Sequence, residues 1–277
     1  MSNKQITVTD IMDKKKTKIP ITMLTAYDYP TALLVDKAGI DIILVGDSLA
    51  MVVLGYQDTV SISIEEMLHH IKAVTRVAKN SFVIGDMPFG SYNISVKDAV
   101  ANAVRFMKEG RVSGVKLEGG QEMALTIEAI VKAGIPVQGH IGLTPQTIAA
   151  LGGFKVQGKS AEAAKKLIQD AKALENAGCF SIVLEAIPAE ISKKITESIS
   201  IPTIGIGAGA DCDGQVLVLH DMIGLFDRFT PKFVKRYASI SKTISDAIKE
   251  YKKDVENKKF PQAQHSFSIS DEELKKL

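Results

Sequence analysis

The stretch DIILVGDS, residues 41–48, ends a run of apolar residues on an acid. The run from Ile42 to Val45 shows no alternation of apolar and polar residues, which is typical of a strand buried on both faces of its sheet. Asp47 stands where such a strand ends and its loop begins. Whether this arrangement recurs along the chain decides which fold the sequence predicts.

Seven other stretches repeat the arrangement. Each is a short apolar run that leads into a polar or glycine-rich turn, and together they are ITMLTAYD (21–28), SFVIGDMPF (81–89), GVKLEGG (114–120), PVQGHIGLTP (136–145), SIVLEAIP (181–188), PTIGIGAG (202–209) and QVLVLHDMIGL (215–225). The sequence therefore predicts eight buried strands.

Helical patterns fill most of the intervals between these strands. SIEEMLHHIKAVTRVAK (63–79) begins at Ser63, and Glu66 completes the pattern of a capping box. Three further patterns, at 95–110, 120–134 and 160–178, end on glycines that predict helix C-caps, namely Gly110, Gly134 and Gly178. GADCDG, between the last two strands, leaves little room for a helix.

Eight strands alternating with helices predict an α/β protein with a (β/α)8 TIM barrel. An open doubly wound sheet is the alternative, because both folds obey the same right-handed βαβ rule. No linker interrupts the chain, so we expect one domain over residues 1–277. The barrel should occupy about residues 20–235, and residues of about 236–277 should form a helical and then polar extension.

The composition excludes several classes of partner. Lys and Arg total 34 against 32 Asp and Glu, a formal net charge of +2, which gives no reason to expect a nucleic acid or a membrane as partner. No apolar run reaches the roughly 18 residues of a membrane span. The N-terminus lacks the apolar core of a secretory signal, and Cys179 and Cys212 have no metal-site spacing around them. We expect a cytoplasmic protein.

Polar residues end most of the predicted strands. They are Asp28, Asp47, Asp86, Glu118, His140, Glu185 and the pair His220–Asp221. In a parallel barrel the C-terminal ends of all strands open onto one face, where active sites lie. One such acid could simply cap a helix. Several acids in one mouth repel one another unless a cation or a substrate offsets their charge.

The residue types at these strand ends indicate a particular chemistry. Asp47, Asp86 and Glu118 offer hard oxygen ligands with no cysteine nearby, which suits Mg²⁺ or a similar ion. Lys116 lies two residues before Glu118 and so faces the same side of its strand. It could balance the acids in a structural ion pair or bind a substrate carboxylate.

Three other strand-end residues have more than one interpretation. Ser48 could donate to a bound carboxylate or cap the next turn. His140, in GHIGLTP, could be a proton carrier, a donor to substrate or a core histidine. Glu185, if it is not a ligand, is the carboxylate left over for a general base. The glycines of GIGAG (205–209) could bind phosphate, but close backbone approach or a tight turn explains them better.

Six stretches, taken together, resemble one known family. They are VGDSLAMVVLGYQDT, GDMPFGSY, VKLEGG, GHIGLTPQ, VLEAIP and IGIGAGADCDGQVLVLHDMIGL, in this order from about residue 20 to 235. They are similar to the ketopantoate hydroxymethyltransferases. One departure is Ala50, where that family commonly has glycine.

The resemblance implies a Mg²⁺-dependent (β/α)8 barrel related to the phosphoenolpyruvate mutase and isocitrate lyase group. It implies transfer of the one-carbon unit of 5,10-methylenetetrahydrofolate to 3-methyl-2-oxobutanoate, through a Mg²⁺-stabilised enolate, to form 2-dehydropantoate for pantothenate and coenzyme A. A homodecamer of two stacked pentameric rings, or pentamer of dimers, is also implied. Carried onto this sequence, the family's metal ligands fall on Asp47, Asp86 and Glu118, its substrate contacts on Asp47, Ser48, Asp86 and Lys116, and its proton acceptor on Glu185.

Two other functions compete with this expectation. A related barrel lyase or mutase could use the same chemistry to cleave a carbon–carbon or carbon–phosphorus bond. Such enzymes usually need a cysteine or another acid near the mouth, and neither Cys179 nor Cys212 is well placed. A non-catalytic barrel that binds a small acid would have no reason to keep Lys116 among inward-facing acids.

Overall fold

The computed structural model describes residues 5–226 and 230–277. Eight strands pair in parallel, each with the next in sequence, and the eighth pairs with the first. They are β1 Ile21–Thr25, β2 Ile42–Val45, β3 Phe82–Asp86, β4 Gly114–Lys116, β5 Val137–Gly142, β6 Ser181–Glu185, β7 Thr203–Ile206 and β8 Gly214–Leu217. The closed barrel confirms the predicted fold and excludes the open doubly wound sheet.

Helices connect most of the strands. They are α1 Val8–Thr17, α2 Tyr29–Lys37, α3 Leu49–Val52, α4 Ile64–Thr75, α5 Val96–Arg105, α6 Ala124–Lys132, α7 Ile148–Leu151, α8 Ala161–Asn176, α9 Ala189–Ser198, α10 Leu219–Met222, α11 Ile240–Glu256 and α12 Asp271–Leu274. A π-helical turn at Phe106–Gly110 follows α5, and short 3₁₀ turns lie at Gln121–Met123, Pro145–Thr147 and Ala263–His265. As predicted, the described connection between β7 and β8 contains no helix.

The helix ends test the capping predictions. At α4 the Ser63 hydroxyl accepts from the Glu66 amide at 3.2 Å, and the Glu66 carboxylate accepts from the Ser63 amide at 2.8 Å, which confirms the capping box. Gly134 and Gly178 have positive φ angles of 86° and 96° just past α6 and α8, as C-cap glycines should.

The predicted C-cap at Gly110 is wrong. Gly110 continues the π-helical turn, and Arg111, with φ of 57°, takes the left-handed position. The glycine serves packing instead, because a Cβ at Gly110 would lie 2.7 Å from Cγ2 of Ile71 on α4. Close approach of two helices therefore selects this glycine.

Helix α1 covers the N-terminal end of the barrel. Ile11 is fully buried and packs into the core cluster that Ile21, Ile42 and other strand residues form inside the barrel. Two lysines of the same helix make ion pairs at this end of the barrel. Lys14 Nζ lies 2.6 Å from Asp41 Oδ1, and Lys15 Nζ lies 2.9 Å from Asp213 Oδ2. The opposite, C-terminal end holds the strand-end side chains.

The described chain forms two compact units. One comprises the residues up to Leu219 with Pro231–Val234, and it contains the barrel. The other comprises His220–Thr230 and Lys235–Leu277 and is built on α11, which exposes Ile244, Ile248 and other apolar side chains. The single domain over residues 1–277 stays a prediction. No described helix combines the length and the apolar character needed to cross a membrane.

Candidate active site

The strand-end residues of β2 to β6 converge at the C-terminal mouth of the barrel, as the sequence predicts. Asp47 follows β2, Asp86 ends β3, Lys116 ends β4, His140 lies in β5 and Glu185 ends β6. All but Glu185 are buried, and so is Glu118, two residues beyond β4. Burial of so many ionisable groups requires close partners for each of them.

Lys116 and Asp86 form a buried ion pair between adjacent strands. Nζ of Lys116 lies 2.7 Å from Oδ1 and 2.8 Å from Oδ2 of Asp86, and 3.9 Å from Oε1 of Glu118. Burial alone would lower the pKa of Lys116, but the carboxylates of Asp86, Glu118 and Asp47 raise it. The lysine is therefore charged, and the ion pair that the sequence left open is present.

The acids of this cluster are not fully balanced. Burial, with the charge of Asp86 added to it, raises the pKa of Asp47 well above its ordinary value. Burial also raises the pKa of Asp86, although Lys116 opposes the effect. Burial would raise the pKa of Glu118 too, but His140 and Lys116 lower it. Even with Lys116 and His140 close by, Asp47 and Asp86 keep raised pKa values, and a further cation would stabilise the ionised forms of these acids.

His140 lies between two carboxylates. Its Nδ1 is 3.2 Å from Oε1 of Glu118, and its Nε2 is 3.2 Å from Oε2 of Glu185. Both are ion-pair distances outside the angles of a directed hydrogen bond. Burial and Lys116 lower the pKa of His140, but the two glutamates outweigh them and raise it to about 9. His140 is therefore not a neutral core histidine; it joins Glu118 to Glu185.

Ser48 does not cap the helix that follows it. Helix α3 begins at Leu49 without a side-chain capping bond, and Oγ of Ser48 instead lies 2.8 Å from the buried hydroxyl of Tyr27. The capping interpretation is therefore not what the structure shows. A hydroxyl held beside Asp47 by a tyrosine is suited to donating a hydrogen bond.

Gln146 and Tyr92 complete the cluster, and sequence reasoning missed both. The Gln146 side chain donates to Oδ2 of Asp47 at 2.9 Å and its backbone amide donates to Oε2 of Glu118 at 3.0 Å. The Tyr92 hydroxyl donates to Oε1 of Gln146 at 2.6 Å. Tyr92 ends the stretch GDMPFGSY and Gln146 ends GHIGLTPQ. Neither side chain is charged near neutral pH, so the pattern of charged residues at strand ends did not indicate them.

The other strand-end residues serve different purposes. Asp28 caps α2 by accepting from the Thr31 amide at 2.8 Å. The glycines of GIGAG permit close packing: a Cβ at Gly207 would lie 2.7 Å from the Phe233 ring, and one at Gly209 would lie 2.5 Å from Cβ of Ala189. His220 and Asp221 belong to the second compact unit.

The acid cluster has the oxygen donors and the negative charge that suit a hard cation, but its carboxylates are not close enough together to coordinate one. Asp47, Asp86 and Glu118 supply buried carboxylate oxygens of the kind that Mg²⁺ prefers. Across the described ranges, no three His, Cys, Asp or Glu side chains come close enough together to hold a metal ion. In this arrangement the ammonium group of Lys116 takes both oxygens of Asp86.

Comparison with known proteins decides the family. The model of the family described as ketopantoate hydroxymethyltransferase matches residues 5–263. The chain belongs to the ketopantoate hydroxymethyltransferase family. It is 59% identical to the 3-methyl-2-oxobutanoate hydroxymethyltransferase of Syntrophobacter fumaroxidans over 99% of this chain and 96% of that one. It is also 59% identical to the Enterococcus faecalis enzyme of the same name, over 93% and 94%. This family member is an enzyme, a transferase.

Solved structures with distant sequences share the fold. Phosphonopyruvate hydrolase superposes with a TM-score of 0.63 at 12% identity, over 98% of this chain and 94% of that chain. A structure of phosphonopyruvate hydrolase in complex with oxalate and Mg²⁺ gives 0.62 at 11% identity, with the same coverage. 2,3-Dimethylmalate lyase, a member of the PEP mutase/isocitrate lyase superfamily, gives 0.59 at 14% over 97% and 93%. This chain thus shares the barrel fold of these solved structures.

Proposed function

We propose that this transferase moves the one-carbon unit of 5,10-methylenetetrahydrofolate to C3 of 3-methyl-2-oxobutanoate and forms 2-dehydropantoate (ketopantoate), the first step from the keto acid toward pantothenate. The names of its 59% identical relatives support the acceptor substrate. The observation that carries the mechanism is the buried group of Asp47, Asp86, Lys116 and Glu118 beside Glu185 at one barrel mouth.

The keto acid would bind through its two adjacent oxygen functions. Ser48 would donate a hydrogen bond to it, and the ammonium group of Lys116 would balance its negative charge. We propose that Asp47, Asp86 and Glu118 hold Mg²⁺ beside it, which the Mg²⁺ in the phosphonopyruvate hydrolase complex supports as a property of related barrels. When bound, the ion would supply positive charge against the carboxylate and keto oxygens as negative charge develops there.

Glu185 would remove the proton from C3 of the keto acid. It is the most exposed carboxylate of the group, with 17% of its side chain accessible, and His140 contacts its Oε2. Because His140 lies against Oε2, Oε1 would take the C3 proton. C3 would then bond to the methylene carbon of the folate, and both carbon–nitrogen bonds of that carbon would break. A water would supply the hydroxyl group of the product, and the two folate nitrogens would take up the proton from Glu185 and the second proton of the water.

A lyase or mutase reaction is less well supported by the side chains at hand. Burial raises the pKa of the Cys179 thiol to about 12 and that of Cys212 to about 11. Cys179 lies against Leu174 of α8, behind Gly139, rather than among the acids. Neither thiol is an acid suited to protonating a leaving group at this mouth.

The test is hydrogen exchange at C3 of 3-methyl-2-oxobutanoate in deuterated water, followed by proton NMR. We expect exchange with Mg²⁺ and protein alone, none with excess chelator, and 2-dehydropantoate only when methylenetetrahydrofolate is added. Absence of both exchange and product would refute the proposal. Cleavage of 2,3-dimethylmalate or phosphonopyruvate instead would favour the lyase.

We also propose that the protein is cytoplasmic and assembles as a homodecamer of two stacked pentameric rings, without nucleic acid or membrane partners. Light scattering coupled to gel filtration should give ten times the mass of one chain. A monomeric or dimeric mass would refute the assembly.

A further inference from the structure

We propose that Gln146 is a positioning residue that holds Asp47 and Glu118 as a pair, and that Tyr92 fixes its carboxamide in the orientation this requires. By this arrangement the two residues set the cation affinity of the site. The inference rests on the proposed function only in requiring that the acid cluster binds a divalent cation.

Gln146 reaches two strands that are not neighbours. It lies in the Pro145–Thr147 turn after β5, yet its side chain contacts Asp47 after β2 and its backbone amide contacts Glu118 after β4. Strand β3 separates these two strands in the barrel. Gln146 is 3% exposed, so water does not compete for these hydrogen bonds.

The partners of the carboxamide determine its orientation. The carbonyl of Met87, at 3.0 Å, only accepts hydrogen bonds, so the amide nitrogen must face it, and the same nitrogen lies 2.9 Å from Oδ2 of Asp47. The carboxamide oxygen then faces Tyr92, whose hydroxyl donates to it at 2.6 Å. The same hydroxyl accepts from the Glu118 amide at 3.3 Å, which ties the tyrosine to the second acid.

These bonds leave one oxygen of each acid for other partners. Gln146 occupies Oδ2 of Asp47 and Oε2 of Glu118, whereas Oε1 of Glu118 contacts His140 and Lys116. Without the carboxamide, Asp47 would lose its side-chain donor while it remains close to Asp86 and Glu118. The negative groups would then move apart, and they would bind a cation less tightly.

Another buried glutamine supplies a matched control. Gln138 on β5 is fully buried, and its side-chain nitrogen donates to the Ser181 hydroxyl at 2.8 Å. The Ser181 hydroxyl is neutral, unlike the acids that Gln146 contacts. Replacing either glutamine by leucine removes one buried carboxamide, but only Gln146→Leu removes a donor to the acid cluster.

The experiment measures binding of Mn²⁺ alone, by electron paramagnetic resonance of the free ion, together with the melting temperature of each protein. Gln146→Leu should raise the Mn²⁺ dissociation constant about 10- to 100-fold, the usual effect of losing a group that orients a metal ligand. Tyr92→Phe, which deletes one oxygen, should raise it about fivefold. Because the shorter bond of the Tyr92 hydroxyl is the one to Gln146, the double variant should bind Mn²⁺ with a dissociation constant well below the product of the two single effects. Gln138→Leu should lower the melting temperature without changing the dissociation constant.

The outcomes separate this inference from the proposed function. Wild-type protein that binds no Mn²⁺ would refute the proposed metal site and the inference with it. Wild-type binding that is unchanged in Gln146→Leu and Tyr92→Phe would refute the inference alone. Equal weakening in Gln138→Leu, or additive effects in the double variant, would also overturn it. If Gln146→Leu fails to fold, Tyr92→Phe decides the result.

Discussion

The backbones of Gly142 and Glu185 lie so close that a Cβ added to Gly142 would be 2.3 Å from the carbonyl oxygen of Glu185. The two residues face each other in the β5–β6 register, and Gly142 has a φ angle of 99°. Glycine at this position therefore allows the backbone of β5 to approach the residue that carries the proposed base.

Gly142→Ala should move Glu185 and lower the rate of C3 exchange about 100-fold, since a shift of about 1 Å in a catalytic group has effects of that order. The strained backbone should also cost about 1–3 kcal/mol of stability. Gly134→Ala is the matched control, because Gly134 also has a positive φ but no atom lies within 4 Å of its added Cβ. Gly134→Ala should therefore lose stability and keep exchange, as NMR and thermal melting would show.

Glu185→Gln should lower the rate of C3 exchange about 10²- to 10⁴-fold, which is the usual contribution of a general base. Because glutamine has the same shape, binding of Mg²⁺ and of the keto acid should persist by calorimetry. Glu190→Gln, at an exposed position on α9, should change neither. Undiminished exchange in Glu185→Gln would assign the base to another group.

Asp86→Ala should raise the Mg²⁺ concentration for half-maximal exchange about 100-fold, because the variant loses a ligand and releases Lys116 toward Glu118. Asp41→Ala is the control, since Asp41 pairs with Lys14 at the opposite end of the barrel. It should lower the melting temperature and leave the Mg²⁺ requirement alone. An unchanged requirement in Asp86→Ala would remove Asp86 from the ligand set.

His140 should give the metal-free protein a distinct dependence of stability on pH. Its pKa is raised in the folded state, from 6.5 to about 9, so folding takes up protons between these values. The contribution of about 3 kcal/mol should be complete below pH 6.5 and lost as the pH rises through 9. Urea unfolding in chelator from pH 6 to 9.5 should show this slope, and His140→Gln should flatten it. His69→Gln, an exposed residue of α4, should keep the slope.

The barrel and most of its mouth could be predicted because their signals are local. Most strands are short runs dominated by apolar residues, and each of the acids ends or follows its own run. Parallel pairing therefore brings Asp47, Asp86 and Glu118 to the same end of the barrel. Gly110 shows the limit of local reasoning. A glycine at the end of a helical pattern predicts a C-cap, but here contact with Ile71 on another helix decides its role.

The role of Gln146 could not be predicted for a related reason. Its function depends on reaching Asp47, 99 residues earlier in the chain, and a neutral amide shows no preference for such a partner in sequence. The contacts of the loop after Ser48 could not be predicted either. The Tyr56 amide donates to the Ala50 carbonyl at 2.8 Å and the Tyr56 hydroxyl donates to Glu66, and no periodic pattern in the sequence indicates these contacts.

Lys14 and Lys15 of α1 bear on how the barrel closes during folding. Asp41 also accepts from the Thr22 amide of β1, and Asp213 also accepts from the Thr203 amide of β7. Lys15 and Asp213 are 198 residues apart in sequence, so their contact forms only when the two ends of the barrel sequence come together. Closing a parallel barrel is slow, because the chain loses the conformational entropy of a long loop before the strand pairing stabilises it. A fluorescent probe on α1 would thus report closure of the barrel from the end opposite the acid cluster.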